Sequence, residues 1–209
     1  MFSPIHCLAR VATLALLVAT TGAPSVMAQQ VDPLAGLRER LDAQSYRALQ
    51  LLTDSVRAAG LPTDPLISKV QEGLLKRASP PAVLSAARGL AARLRQSREA
   101  LGTAASDAEI EAGASALRAG AVAAQLTGLR ATRGASRGIA VPLVVLADML
   151  SRGVPRDTAA RALQTMAAAN ATDAAFQALR LNIERDITGG MSPATAAGLR
   201  YRALLERQP

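Results

Sequence analysis

A histidine and a cysteine, His6 and Cys7, lie side by side near the N-terminus, and the chain has no other residue of either type. Imidazole and thiolate supply much of the nucleophilic, general-base and transition-metal chemistry open to a protein. Where this pair sits therefore decides what the rest of the molecule can do. Both residues precede an apolar run, Val11 to Ala19, which follows Arg10 and leads to a small-residue stretch ending in Val26-Met27-Ala28. This is the three-part pattern of a cleavable export signal. It predicts a signal over residues 1–28, cleavage after Ala28, and a product from Gln29 to Pro209 with neither imidazole nor thiol. The apolar run is far shorter than the roughly 20 residues that span a bilayer. Cys7 stands before it rather than after it, so it is no lipid acceptor. The expected destination is a bacterial periplasm, where the product would have no disulfide to hold it together.

Few other side chains have the spacing that chemistry requires. Gly134-Ala135-Ser136-Arg137-Gly138 matches the G-x-S-x-G nucleophile pattern. That pattern works between a strand and a helix with a histidine base nearby. Here helical segments flank it and no histidine follows, so it reads as a flexible interhelix loop. The acid pairs Glu109/Glu111 and Glu184/Asp186 are two residues apart, which on a helix turns them away from each other. Asp148 stands in the most apolar later segment, Ile139 to Leu150, near its end and beside Ser151 and Arg152. No carboxylate cluster has metal-ligand spacing, so neither metal nor cofactor is expected.

The most pointed polar group is Lys69-x-x-Glu72-Gly73-x-x-Lys76. On a helix, Lys69, Glu72 and Lys76 gather on one side, opposite Leu66, Ile67, Val70 and Leu74. Lys69 and Lys76 are the chain's two lysines among 24 basic residues, and Gly73 between them leaves room for a close approach. Arg88 and Arg95, seven residues apart, share a face of the next helix. These five residues, Lys69, Glu72, Lys76, Arg88 and Arg95, form the candidate binding surface.

Composition sets the frame that must hold these groups. Half of the residues are hydrophobic but only 2 % are aromatic, and the net charge is +8. Alanine, leucine and arginine dominate, which favours helix. Two stretches, Gly73 to Arg98 and Ala112 to Ala147, carry arginine or lysine without any acid. They read as solvated basic faces able to meet anionic partners. Nucleic acid is disfavoured because the aromatic determinants of such binders are missing.

Turn signals divide the chain into helices. Gly60-Leu61-Pro62-Thr63-Asp64 recurs 93 residues later as Gly153-Val154-Pro155-Arg156-Asp157, with looser relatives at Gly120-Ala121-Val122 and Gly190-Met191-Ser192-Pro193. Glycine ends a helix in the left-handed conformation and proline stops its continuation. Asp64 and Ser192 stand as caps ahead of Pro65 and Pro193, and Ser106 with Glu109 forms a capping box. The predicted helices are 33–59 (with a break near Ala43), 64–77, 80–101, 107–119, 121–132, 140–152, 156–168, 173–188 and 193–206. Helix 140–152 should be central. Turns this short fold neighbouring helices back on each other. The expected fold is all-α without a sheet, a short α-solenoid or irregular bundle of stacked hairpins. It forms one domain, 29–209, whose halves, about 33–105 and 106–209, are weakly repeated.

The segments Gly60-Leu61-Pro62 … Pro65-Leu66 … Lys69 … Glu72-Gly73 … Lys76 and Ala140-Val141-Pro142-Leu143 … Asp148 … Gly153-Val154-Pro155 resemble a pattern in uncharacterised, exported, alanine-rich, all-helical bacterial proteins. The resemblance implies export and a helical fold, and no activity. The residues then point to a non-catalytic periplasmic interaction module for a protein, peptide or anionic envelope polymer. A carboxylate-dependent enzyme acting on envelope glycans is the alternative, although glycan sites use aromatic platforms. A binder of anionic membrane surfaces is a third reading, and a solenoid's open end also permits a homo-oligomer.

Overall fold

A computed structural model of the protein describes residues 34–206. The expected export signal, with His6 and Cys7, lies outside these residues. The described residues contain no strand. A short 3-10 helix, Ala35–Arg40, leads into nine α-helices: α1 Ala43–Ala58, α2 Asp64–Leu75, α3 Pro80–Leu101, α4 Asp107–Arg118, α5 Ala123–Arg133, α6 Ala140–Ser151, α7 Arg156–Ala168, α8 Asp173–Thr188 and α9 Pro193–Leu205. The first helical stretch is broken at Leu41, which is extended, and Asp42 starts α1 by accepting from Ser45 N. One cap differs from expectation. Asp64 is already inside α2, and Thr63 precedes it without a side-chain bond. Asp64 then acts through its charge at the positive end of the helix.

Six helices end in the same way. The N–H of the residue after a left-handed position bonds back to the carbonyl five residues earlier: Leu61 to Val56, Ala78 to Gly73, Ala121 to Ala116, Val154 to Met149, Ala171 to Met166 and Met191 to Asp186, all at 2.9–3.1 Å. Glycine holds the left-handed position at Gly60, Gly120, Gly153 and Gly190, but Arg77 and Asn170 hold it at the other two. The turn anticipated at Gly60 and Gly153 is thus the general joint of the molecule.

These joints make consecutive helices antiparallel and stack every second helix. The helices α1, α3, α5, α7 and α9 form one row, each packed on the next, and α4, α6 and α8 form a second row behind it, with α2 against α3. This is a short α-solenoid. The core lies between the rows and includes Leu66, Leu94, Ile110, Leu126, Leu143, Met149 and Phe176, all under 2 % exposed. Helix α6 lies between α4 and α8. It buries Pro142, Leu143, Val145, Leu146 and Met149 and leaves Val144 exposed. Small residues set the spacing. A side chain at Gly113 of α4 would overlap Ser97 of α3, and one at Gly128 of α5 would overlap Gln164 of α7.

The two segments that match in sequence do not occupy equivalent places. Helices α1 and α3 lie in the first row, whereas their counterparts α6 and α8 lie in the second. The shared element is the helix–joint–helix unit, not a step of the superhelix.

Candidate functional site

The helix wheel of α2 holds. Leu66, Val70 and Leu74 are buried, and Lys69, Glu72 and Lys76 lie on the outer side. Glu72 accepts from Lys69 Nζ at 2.8 Å and from Lys76 Nζ at 2.5 Å. Those two bonds, Lys69 first, pull its carboxyl down to about 2. Gly73 does not serve an outside partner. Val83 of α3 fills the space beside it, with Cγ2 only 2.8 Å from where a Cβ would stand.

The rest of the predicted surface, Arg88 and Arg95, lies on α3. Arg95 donates to Ser55 Oγ of α1 at 3.1 Å, and Arg98 donates to Gly60 O at 2.9 Å. These bonds hold α1 and α3 parallel and in register. Eight residues before Ser55 and seven before Arg95 stand Arg47 and Arg88, in the N-terminal halves of these two helices. Both are exposed, and neither makes a hydrogen bond or ion pair among the described residues. Arg47 is followed one turn later by Leu51, which is 65 % exposed. Arg47 was not visible as a site residue from sequence, because its relation to Arg88 depends on the register of two helices separated by α2.

The second acid-free stretch is not a solvated basic face. Glu109 is 6 % exposed. It accepts from Ile139 N at 2.9 Å and Ser106 N at 3.0 Å, and pairs with Arg130 at 2.6 Å. Burial pushes its carboxyl up, but the Ile139 N–H, Arg130 and the Ser106 N–H together outweigh that and leave it lowered. Arg133 turns inward and donates to Gly138 O at 2.8 Å, Ala171 O at 3.0 Å and Asp173 Oδ1 at 2.5 Å, with its guanidinium 4.9 Å from the Phe176 ring centre. Arg130 also donates to Arg137 O, and Arg137 to Asn170 O and Oδ1. The Gly134–Gly138 loop is therefore pinned rather than flexible. Its carbonyls lack helical partners, and the arginines supply them.

The remaining acids divide by role. Asp148 accepts from Arg152 at 2.8 Å, Arg152 also reaches Glu184 at 2.9 Å, and Arg200 grips Asp186 through two bonds of 2.6 and 2.7 Å. Glu111 is different. Burial, then the charges of Asp107 and Asp64, push its carboxyl up from the ordinary 4.5. A half-open cleft of about 200 Å³ lies among α7, α8 and α9, lined by Met166, Leu179, Asn182, Arg200 and Leu204. Among the described residues no group of His, Cys, Asp or Glu is placed to hold a metal ion. None of their helices is long and apolar enough to cross a membrane.

No family model matches the chain, and neither a curated protein nor a solved structure is similar to it.

Proposed function

We propose that this chain is a non-catalytic helical interaction module that acts after export, in the periplasm, and uses its α1–α3 face to bind an acidic protein, peptide or anionic envelope polymer. The observation that carries this reading is the pair Arg47 and Arg88. Two exposed, unpartnered guanidinium groups stand on the N-terminal halves of parallel, packed helices whose axes are about 8–10 Å apart, with exposed Leu51 one turn after Arg47. Arginine's planar fork suits carboxylate or phosphate groups presented along an extended partner. The predicted residues extend this face: Arg95 fixes the register, while the Lys69–Glu72–Lys76 triad on α2 contributes net positive charge. A partner that supplies carboxylates would be drawn by charge and anchored by the exposed leucine.

Retention on immobilised polyglutamate across a salt gradient tests the reading. Arg47→Gln with Arg88→Gln should elute at clearly lower salt than the parent chain, and Lys69→Ala with Lys76→Ala should shift elution less. Equal elution of the arginine pair and the parent would remove this face as the site.

A further inference from the structure

We infer that the edge of the solenoid formed by the α2–α3, α4–α5, α6–α7 and α8–α9 turns is a second interaction surface, built to rest on an anionic lipid bilayer. Consecutive helices run antiparallel, so alternate turns fall on the same edge. The side chain of Pro193, at the start of α9, lies 3.7 Å from where a Cβ on Gly153 would stand, which places two of these turns together. On the opposite edge, Arg98 joins the Gly60 and Thr103 carbonyls, and Arg133 joins those of Gly138 and Ala171.

The two edges have different chemistry. The proposed edge exposes an apolar side chain at three of its four turns: Leu75 at 74 %, Val122 at 41 % and Met191 at 41 %. Leu75 is the most exposed large apolar residue described. Beside these stand Lys76, Arg77, Arg118 and Arg156, all exposed. The acids nearest the turns are Glu72, held by two lysines, Asp148, held by Arg152, Asp186, held by Arg200, and Asp157. The opposite edge gathers Asp64, Asp107 and Glu111 at the starts of α2 and α4, close enough for the first two to act on the third.

One further feature singles out the α2–α3 turn. Arg77 is left-handed, with φ 55°, at a joint where four of the six such positions are glycine. A side chain with a Cβ pays a conformational cost there, and what it gains is an exposed cation next to exposed Leu75. Apolar tips among exposed cations on one edge, with the Asp64, Asp107 and Glu111 group on the other, match a bilayer whose headgroups are anionic. The tips enter the acyl boundary while the cations meet phosphates. Charge complementarity is what selects this occupant over a neutral apolar partner.

The chain has no tryptophan, so one introduced indole reports a single place. The protein carrying Leu75→Trp is mixed with phosphatidylglycerol–phosphatidylcholine vesicles and with phosphatidylcholine vesicles. Thr103→Trp, on the opposite edge, is the control. A blue shift of emission at position 75 with the anionic vesicles alone, and none at position 103, is expected. Arg77→Gln with Arg118→Gln should weaken partitioning about thirtyfold, roughly fivefold for each charge, with circular dichroism unchanged. No partitioning, equal shifts at both positions, or equal partitioning of the double variant would overturn the inference. Arg47 and Arg88 stand on the helices α1 and α3 and not at the apolar tips, so Arg47→Gln with Arg88→Gln should lower retention on polyglutamate yet keep the anionic-vesicle blue shift at position 75, which separates this edge from the α1–α3 face.

Discussion

Arg133 offers the sharpest test of how the solenoid's arginines work. Arg133 is 9 % exposed, and its guanidinium closes the gap between the Gly134–Gly138 loop and the α7–α8 turn. Removing it leaves two carbonyls without their charged donor, each bond being a net contribution of about 1.5 kcal/mol at the lower end for charged partners. Loss of the cation over the Phe176 ring adds about 1 kcal/mol. The Asp173 pair adds little, because that carboxylate is 55 % exposed and water replaces the arginine. Arg133→Met keeps the packed stem but loses both carbonyl bonds and the cation, and should therefore lower the unfolding free energy by about 4 kcal/mol. Arg133→Ala loses the stem packing as well and should cost more than that. Arg133→Lys, with one donor group and a retained charge, should cost about 2 kcal/mol. Urea unfolding followed by circular dichroism measures all three. Limited proteolysis should show cleavage within residues 134–138 appearing first in the alanine variant. A cost under about 1 kcal/mol for Arg133→Met, the size of an average substitution, would refute the view that inward arginines hold this loop.

Two further variants test the packing and the charges. Gly113→Ala places a methyl against buried Ser97, and should cost about 1–3 kcal/mol by overpacking. Combined with Ser97→Ala it should cost much less, since the obstructing hydroxyl, which is fully buried and has no hydrogen-bond partner, is gone. Additive costs in thermal melts would show that the two helices do not meet at this point. Glu111→Gln should stabilise the protein at neutral pH. A carboxyl whose folded pKa is raised is penalised when ionised, so the penalty is present above its folded pKa and absent below the ordinary 4.5. The melting temperatures of parent and variant should therefore converge in acid. A variant that is less stable than the parent at pH 7 would reverse the sign and reject the assignment.

Much of this molecule can be read without coordinates. The ends of α3, α7 and α8, the break ahead of α1, the Ser106–Glu109 box and the buried side of α2 all follow from glycine, proline, capping residues and a period of 3.6. The Lys69–Glu72–Lys76 bonds were legible for the same reason, since they lie within one helix. The joint at Arg77 carries neither glycine nor asparagine, so it gives no local signal of a left-handed residue.

Sequence alone determined that the described chain is helical, where its helices stop, and that its acids and bases are unevenly spread. Those properties are local, fixed by backbone propensity and by neighbours within about one turn. Tertiary structure alone decided which arginines are surface and which are mortar. Arg88 and Arg133 are equally basic in the sequence, yet one stands exposed on α3 and the other is buried against Gly138, Ala171 and Phe176. The difference comes from partners 38 to 40 residues away. Which row a helix joins, and at what register, brings those partners near, and no local rule encodes that choice.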